Sequence, residues 1–335
     1  LNFLYQLSCS QKTYLVKKIL FLSMLGLASF AALAQAPSAA ALKMLQAKED
    51  TLKHLAKSLI LDSLTAGRMR NDSLFVRTLI RSLQVKNSFY YPFDSVKGIG
   101  NVYAPDSSFR IFTWTLSLDD FYSRQRGAIQ FRTQDGSLRL VPLHDFSEFS
   151  EQPHDSVRTN TTWIGAVYYN VIKTEHNGKP YYTLFGFDDH TVRSNKKWIE
   201  VLHFNNQGQP VFGGQFFTFQ GDSLKRKPQH RFSIEYKKEA SALVNYDADL
   251  GVILVDHLVS ETEEDDKPYT FIPDGDYEGF KWEKGKWVYI NKVFDQKLED
   301  GQAPVPDPLL DDEGNRNEQK LKTSTDKNKA RKKGN

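Results

Sequence analysis

Cysteine is all but missing from this chain. Cys9 is the only one among 335 residues. It precedes the segment read below as an export signal, so the mature chain is expected to have none. That excludes a disulfide framework, a thiolate metal site and a cysteine nucleophile. Histidine is sparse as well: the eight residues are scattered, with no HxH or HExxH spacing to mark a metal pair. A strong field of one sign is also absent. The net charge is +3, yet the first 18 residues carry +3 and the last 17 carry +6, so the body between them is at −6. A mildly acidic body with basic ends excludes the global basic field of a nucleic-acid binder. No metal or cofactor is expected from these residues.

Long hydrophobic runs are limited to the front. Residues 17–34 read KKILFLSMLGLASFAALA: two lysines, an apolar run, then small residues. This is the layout of a secretory signal, with cleavage expected after Ala34. Translation is expected to start at Val16, read as Met. No cysteine follows the run to carry a lipid anchor. After cleavage nothing apolar enough to span a bilayer remains, so the mature protein is expected not to be an integral membrane protein. The other end is Pro304, Pro306 and Pro308, then a polar, lysine-rich segment to Asn335. Residues 301–335 are expected to be a stiff linker and a disordered tail.

Between the ends two patterns alternate. Over 35–90 the apolar residues Leu42, Leu45, Leu52, Leu55, Ala56, Leu59 and Ile60 recur at helical spacing. Gly67 reads as a stop, and Asn71 or Asp72 as the cap of a second helix carrying Leu74, Phe75, Leu79 and Leu83. A hairpin of two helices is too small to stand alone, so its apolar stripe is expected to pack on the rest. From residue 91 to about 300 the sequence reads as strands and turns. Aromatics make up 13% of the chain, and such rings suit pleated surfaces.

Trp163–Phe219 is the centre of that region, with hairpin turns expected at Asn177-Gly178 and at Asn205–Gly208. In Trp163–Ile172 both faces are apolar, and Phe109–Leu116 and Val252–Val259 behave alike. Such strands need cover on both sides, from neighbouring sheets or from the helical hairpin. Phe232, Ile234 and Tyr236 alternate with polar residues and have one wet face. The expected fold is mainly β: antiparallel sheets, propeller-like or a sandwich or meander, preceded by an N-terminal α-helical hairpin. An outer-membrane barrel fits poorly, since its strands have one lipid-facing and one polar side.

The chemistry-bearing candidates are few. Asp188, Asp189, His190 and His203 cluster around one loop and its strands. They are candidate acids, bases or ligands only if the fold brings them together. Gly221-Asp222-Ser223-Leu224 matches the tetrapeptide of GDSL-type esterases, but no Asp-x-x-His follows, and a polar turn is the plainer reading. Asp247–Gly251 and Asp274–Glu278 carry alternating carboxylates without a full calcium-loop pattern. Trp282, Trp287 and Tyr289 are candidate ligand-stacking rings.

The phrases KNSFYYPFDSVKGIGNVYAPDSSFRIFTWTL (86–116) and IPDGDYEGFKWEKGKWVYINKVF (272–294) resemble uncharacterised exported proteins of Gram-negative bacteria. The resemblance implies export and a β-rich body, and no activity. The expected role is a non-enzymatic binding or assembly component of the envelope, periplasmic or at the cell surface, with an envelope protein or a glycan as partner. The competing expectation is a hydrolase or a carbohydrate-active protein.

Overall fold

Ser38 starts the first helix. Its hydroxyl accepts from the Ala41 N–H at 3.2 Å, satisfying one of the free donors of helix α1 (Ala39–Leu61). The computed structural model describes residues 36–119, 121–219 and 226–294. The export segment, the Gly221–Leu224 tetrapeptide and the 301–335 tail lie outside them. The described residues up to Val293 belong to one compact unit.

Helix α2 spans Thr65–Leu83. Gly67 does not end α1; it lies in the first turn of α2. The stop is Asp62, whose carboxylate accepts from the Leu64 N–H at 3.0 Å. A Cβ on Gly67 would lie 2.0 Å from that carboxylate, so glycine makes room for the turn. Asn71 and Asp72 are likewise inside α2, not before it. Asp72 faces inward, accepting from the Trp114 indole and the Arg126 guanidinium at 2.9 Å each.

Fifteen strands follow among the described residues. The first sheet is a meander of β1 (Gly100–Tyr103), β2 (Phe109–Ser117), β3 (Ser123–Phe131) and β4 (Arg139–His144). The second contains β5 (Arg158–Thr159), β6 (Val167–His176), β7 (Lys179–Asp188), β8 (Ser194–Phe204), β9 (Pro210–Phe212) and β11 (Arg231–Lys237). The third runs β10–β15–β14–β13–β12, with β10 (Phe217–Thr218), β12 (Val244–Asp247), β13 (Val252–Ser260), β14 (Phe271–Glu283) and β15 (Lys286–Ile290). All named pairs are antiparallel except β10 with β15. The β6–β7 turn is tight, with Asn177 at φ 51° and Gly178 at φ 70°, as the Asn-Gly pair predicts.

Three buried clusters show how the layers stack. Leu45, Leu52, Ala56, Phe75 and Leu79 of the hairpin pack on Phe112, Trp114 and Leu116 of β2. The opposite face of β2, Phe109 and Ile111, packs with Tyr168, Tyr182, Leu184, Trp198 and Leu202 of the second sheet. The other face of that sheet, Phe185, Ile199 and Val201, packs with Phe232, Ile253, Val255, Phe280 and Trp287. The order is therefore hairpin, sheet, sheet, sheet: a stacked sandwich, not a ring of propeller blades. Alternate residues of β2 feed different cores, which explains why both faces of Phe109–Leu116 read as apolar, and β7 and β8 are shared between cores in the same way. Each large side chain buried this way contributes roughly 1.5–3 kcal/mol of transfer free energy.

Candidate functional site

Two adjoining hollows open where the first two sheets meet. One holds about 220 Å³ and the other about 460 Å³, and they share Phe121, Tyr122, Ser123 and His190. The β2–β3 turn forms one wall and the β7–β8 turn the other. Asp145 and Glu148, from the connection after β4, close the inner end. A parallel bridge between Asp145 and Trp163 fixes this connection against the second sheet.

Gln125 ties the walls together. Its backbone N–H donates to Asp145 Oδ2 at 2.7 Å, and its side-chain amide to Asp188 Oδ1 at 3.3 Å. The approach is close because residue 165 is glycine; a Cβ there would lie 2.3 Å from the Gln125 Cβ. Asp145 also accepts from the N–H and hydroxyl of Ser147, at 3.0 and 2.6 Å. Glu148 accepts from the Tyr122 hydroxyl at 2.8 Å. Phe121, 80% exposed, stands at the rim.

His190 is held on both ring nitrogens. Nδ1 lies 3.5 Å from Asp188 Oδ2, while Nε2 lies 3.1 Å from Lys196 Nζ and 3.6 Å from Glu235 Oε2. An ammonium can only donate, so Nε2 is the acceptor and the proton of the neutral ring sits on Nδ1, towards Asp188. Lys196 also pairs with Glu235 at 3.2 Å. Burial alone would raise the Glu235 carboxyl pKa. The Ser194 hydroxyl bond and the charge of Lys196 outweigh burial, and the pKa is lowered.

The four loop candidates are thus divided. Asp188 and His190 meet in the cleft. Asp189 lines its outer part, where Lys238 takes its carboxylate and also donates to the Thr191 carbonyl at 2.8 Å. His203 is elsewhere. It lies seven residues along β8 from Lys196, about 23 Å at strand rise. Its ring lies 5.9 Å from Phe216 and 6.0 Å from Tyr181, and burial lowers its pKa.

The stacking candidates are corrected in part. Trp287 is fully buried, its indole donating to Thr183 Oγ1 at 3.0 Å, and Tyr289 is 8% exposed with its hydroxyl on Glu278. Neither presents a ring to solvent, because inward-facing β15 positions complete the core between sheets two and three. Trp282 is half-buried and stacks on Phe216 at 6.4 Å. Asp247 serves its own turn, accepting from the Asp249 N–H at 2.9 Å, whereas Asp274 lies inside β14, accepting from the Asp276 N–H at 3.0 Å and lying 2.9 Å from His257 Nδ1. Among the described residues no three His, Cys, Asp or Glu side chains are placed to share a metal ion.

Gln125, Asp145, Glu148, Phe121 and Tyr122 escaped the sequence reading. They lie roughly 40–70 residues before the Asp188 loop and join it only through packing of the two sheets; no spacing signals them. No helix among the described residues is long and apolar enough to cross a membrane. Comparisons with protein-family models, with curated proteins and with solved structures give no match to this chain.

Proposed function

We propose that this chain is an exported binding protein of the Gram-negative envelope, and that the cleft seats a neutral, hydroxyl-rich ligand of the glycan class. The observation that carries the non-catalytic reading is His190. A general base needs a free acceptor nitrogen facing the substrate, and here Nε2 is occupied by Lys196. Asp145, Asp188, Asp189 and Glu148 are likewise held by local donors. Carboxylates fixed in this way remain good acceptors for ligand hydroxyls. Phe121 adds an apolar ring at the rim, on which a sugar face can stack. Export is supported by the basic-then-apolar layout of residues 17–34.

A glycan-array screen with the full chain, followed by calorimetry, tests this. The hits are expected to lose about tenfold in affinity on Phe121→Ala and on Asp188→Asn, on the scale of one stacking contact and one charge-assisted hydrogen bond. Binding unchanged in both variants would remove the cleft from the function. One observation favours a second reading, a carbohydrate-active enzyme: Gln125 holds two carboxylates, Asp145 and Asp188, on one cleft. Release of reducing sugar from a hit, abolished by Asp145→Asn and by Asp188→Asn, would establish that reading instead.

A further inference from the structure

The tip of the helical hairpin is built unlike the rest of the surface. Ile60, Leu61 and Leu64 are 60%, 67% and 69% exposed, three large aliphatics within five residues. Beside them lies an open hollow of about 430 Å³, lined by Lys53, His54, Lys57, Ile60, Leu61, Ser95, Lys97 and Gly98. None of its lining residues is acidic. Two nearby carboxylates are directed elsewhere. Glu49 accepts from the Tyr91 hydroxyl and the Ser95 N–H, and Asp62 caps the turn at Leu64. Three lysines thus ring an apolar floor on a body whose net charge is −6.

The helix geometry explains how these residues share a side. Lys53, Lys57 and Ile60 are separated by four and three residues, and so lie on one stripe of α1. That stripe lies about 100° around the helix from the one formed by Leu45, Leu52, Ala56 and Leu59, which is committed to the first sheet. The tip is also firmly held. Thr65 donates to the Leu118 carbonyl at 2.6 Å, and Arg68 to the Ser117 carbonyl at 2.7 Å. The exposed aliphatics therefore do not result from a loose loop.

We infer that the hairpin tip is a peripheral docking site for an anionic lipid surface. Ile60, Leu61 and Leu64 enter the headgroup–acyl boundary, and Lys53, Lys57 and Lys97 meet the phosphates. Charge complementarity selects this occupant. Aliphatics without aromatics, beside a hollow ringed by cations and with no acid in its lining, match an amphiphile with an apolar interior and an anionic face. A body of net negative charge would be repelled by such a surface everywhere else, which orients the molecule tip-down.

Co-sedimentation of the full chain with phosphatidylglycerol vesicles and with phosphatidylcholine vesicles tests this. The Lys320–Lys333 segment is present in every variant, so its contribution is common to all. Ile60→Ser/Leu61→Ser/Leu64→Ser is expected to weaken binding to anionic vesicles about tenfold. Lys53→Glu/Lys57→Glu/Lys97→Glu is expected to weaken it by about tenfold or more, with the loss shrinking in high salt. Both sets lie at the surface, and an unchanged urea midpoint confirms that the fold is kept. Wild-type affinity in the serine variant, or equal binding to phosphatidylcholine, overturns the inference. So does a serine variant that turns from dimer to monomer in sedimentation velocity while its vesicle affinity stays the same, since a second copy would then be the occupant.

Discussion

Two arginines among the described residues are fully buried, and they are buried in different ways. Arg110 on β2 and Arg231 on β11 both have no exposed surface. Each faces a register partner on the adjacent strand: Gln130 for Arg110, Glu200 for Arg231. Each also holds an irregular segment to its sheet. Arg110 donates to the carbonyls of Ser88 and Tyr91 at 2.9 and 2.7 Å, fixing the chain as it leaves the helical hairpin. Arg231 donates to the carbonyls of Pro153 and Ser156, fixing the loop that enters the second sheet.

The difference lies in what balances the charge. Arg231 meets a carboxylate, Glu200 Oε2, at 3.2 Å, and Glu200 in turn accepts from the Tyr168 hydroxyl. Arg110 meets only neutral groups. Gln130 Oε1 accepts at 2.8 Å, the Tyr103 hydroxyl accepts as well, and the Phe112 ring lies 4.6 Å from the guanidinium carbon. Burial lowers the Arg110 pKa to about 10, with the Tyr103 contact acting in the opposite direction. A cation can thus be kept inside a protein by dipoles and ring faces, though at some cost to its charged form. Both arginines act as clamps on loops; only one of them forms an ion pair.

The comparison is broken most directly at Arg231. Arg231→Met leaves Glu200 as a buried, unbalanced anion, and urea unfolding is expected to show a loss of about 3–5 kcal/mol. Arg110→Met leaves only neutral acceptors behind, and the expected loss is smaller, about 2–3 kcal/mol. Equal losses would mean that clamping the loop matters and the charge of the partner does not.

The smallest effect concerns His154, in the loop held by Arg231. Its ring lies 5.4 Å from Trp198, and Nε2 is 2.9 Å from the Ser233 hydroxyl. Burial first, then the charges of Arg231 and Lys196, push its pKa from 6.5 down to about 4, with Asp155 acting the other way. Below pH 6.5 the unfolded chain takes up this proton, while the folded chain refuses it until about pH 4. Stability is therefore full above that window and falls as the pH drops through it. His154→Gln is expected to remove about 2 kcal/mol of acid sensitivity, read as the difference in unfolding free energy between near-neutral pH and about pH 4.5. An unchanged acid slope would show that His154 is hydrated in the folded state.

Much of the architecture was legible because one period governs it. Alternation along Phe109–Leu116 shows apolar residues on both faces, and a layer on each side of that strand is what the pattern requires. The start of α2 was not legible. Asp72 resembles a cap by type, but a buried carboxylate that holds Trp114 and Arg126 from another layer has no local signature. The site was legible only on one wall. Asp188 and His190 stand two residues apart in sequence, whereas Gln125 and Asp145 arrive through a different sheet. His203 looked like a member of the loop because it is near in sequence, yet an extended strand carries it away from the cleft.

The outer edge of β8 serves two partners in succession. Ser194–Glu200 pairs with β11, and Leu202–Phe204 pairs with β9. No length of this apolar strand is left to recruit a strand from another molecule. The seal depends on β11, whose first residue is Arg231. Loosening that residue would uncover a hydrophobic template for intermolecular β growth, so damage there would surface as aggregation before it registered as lost binding.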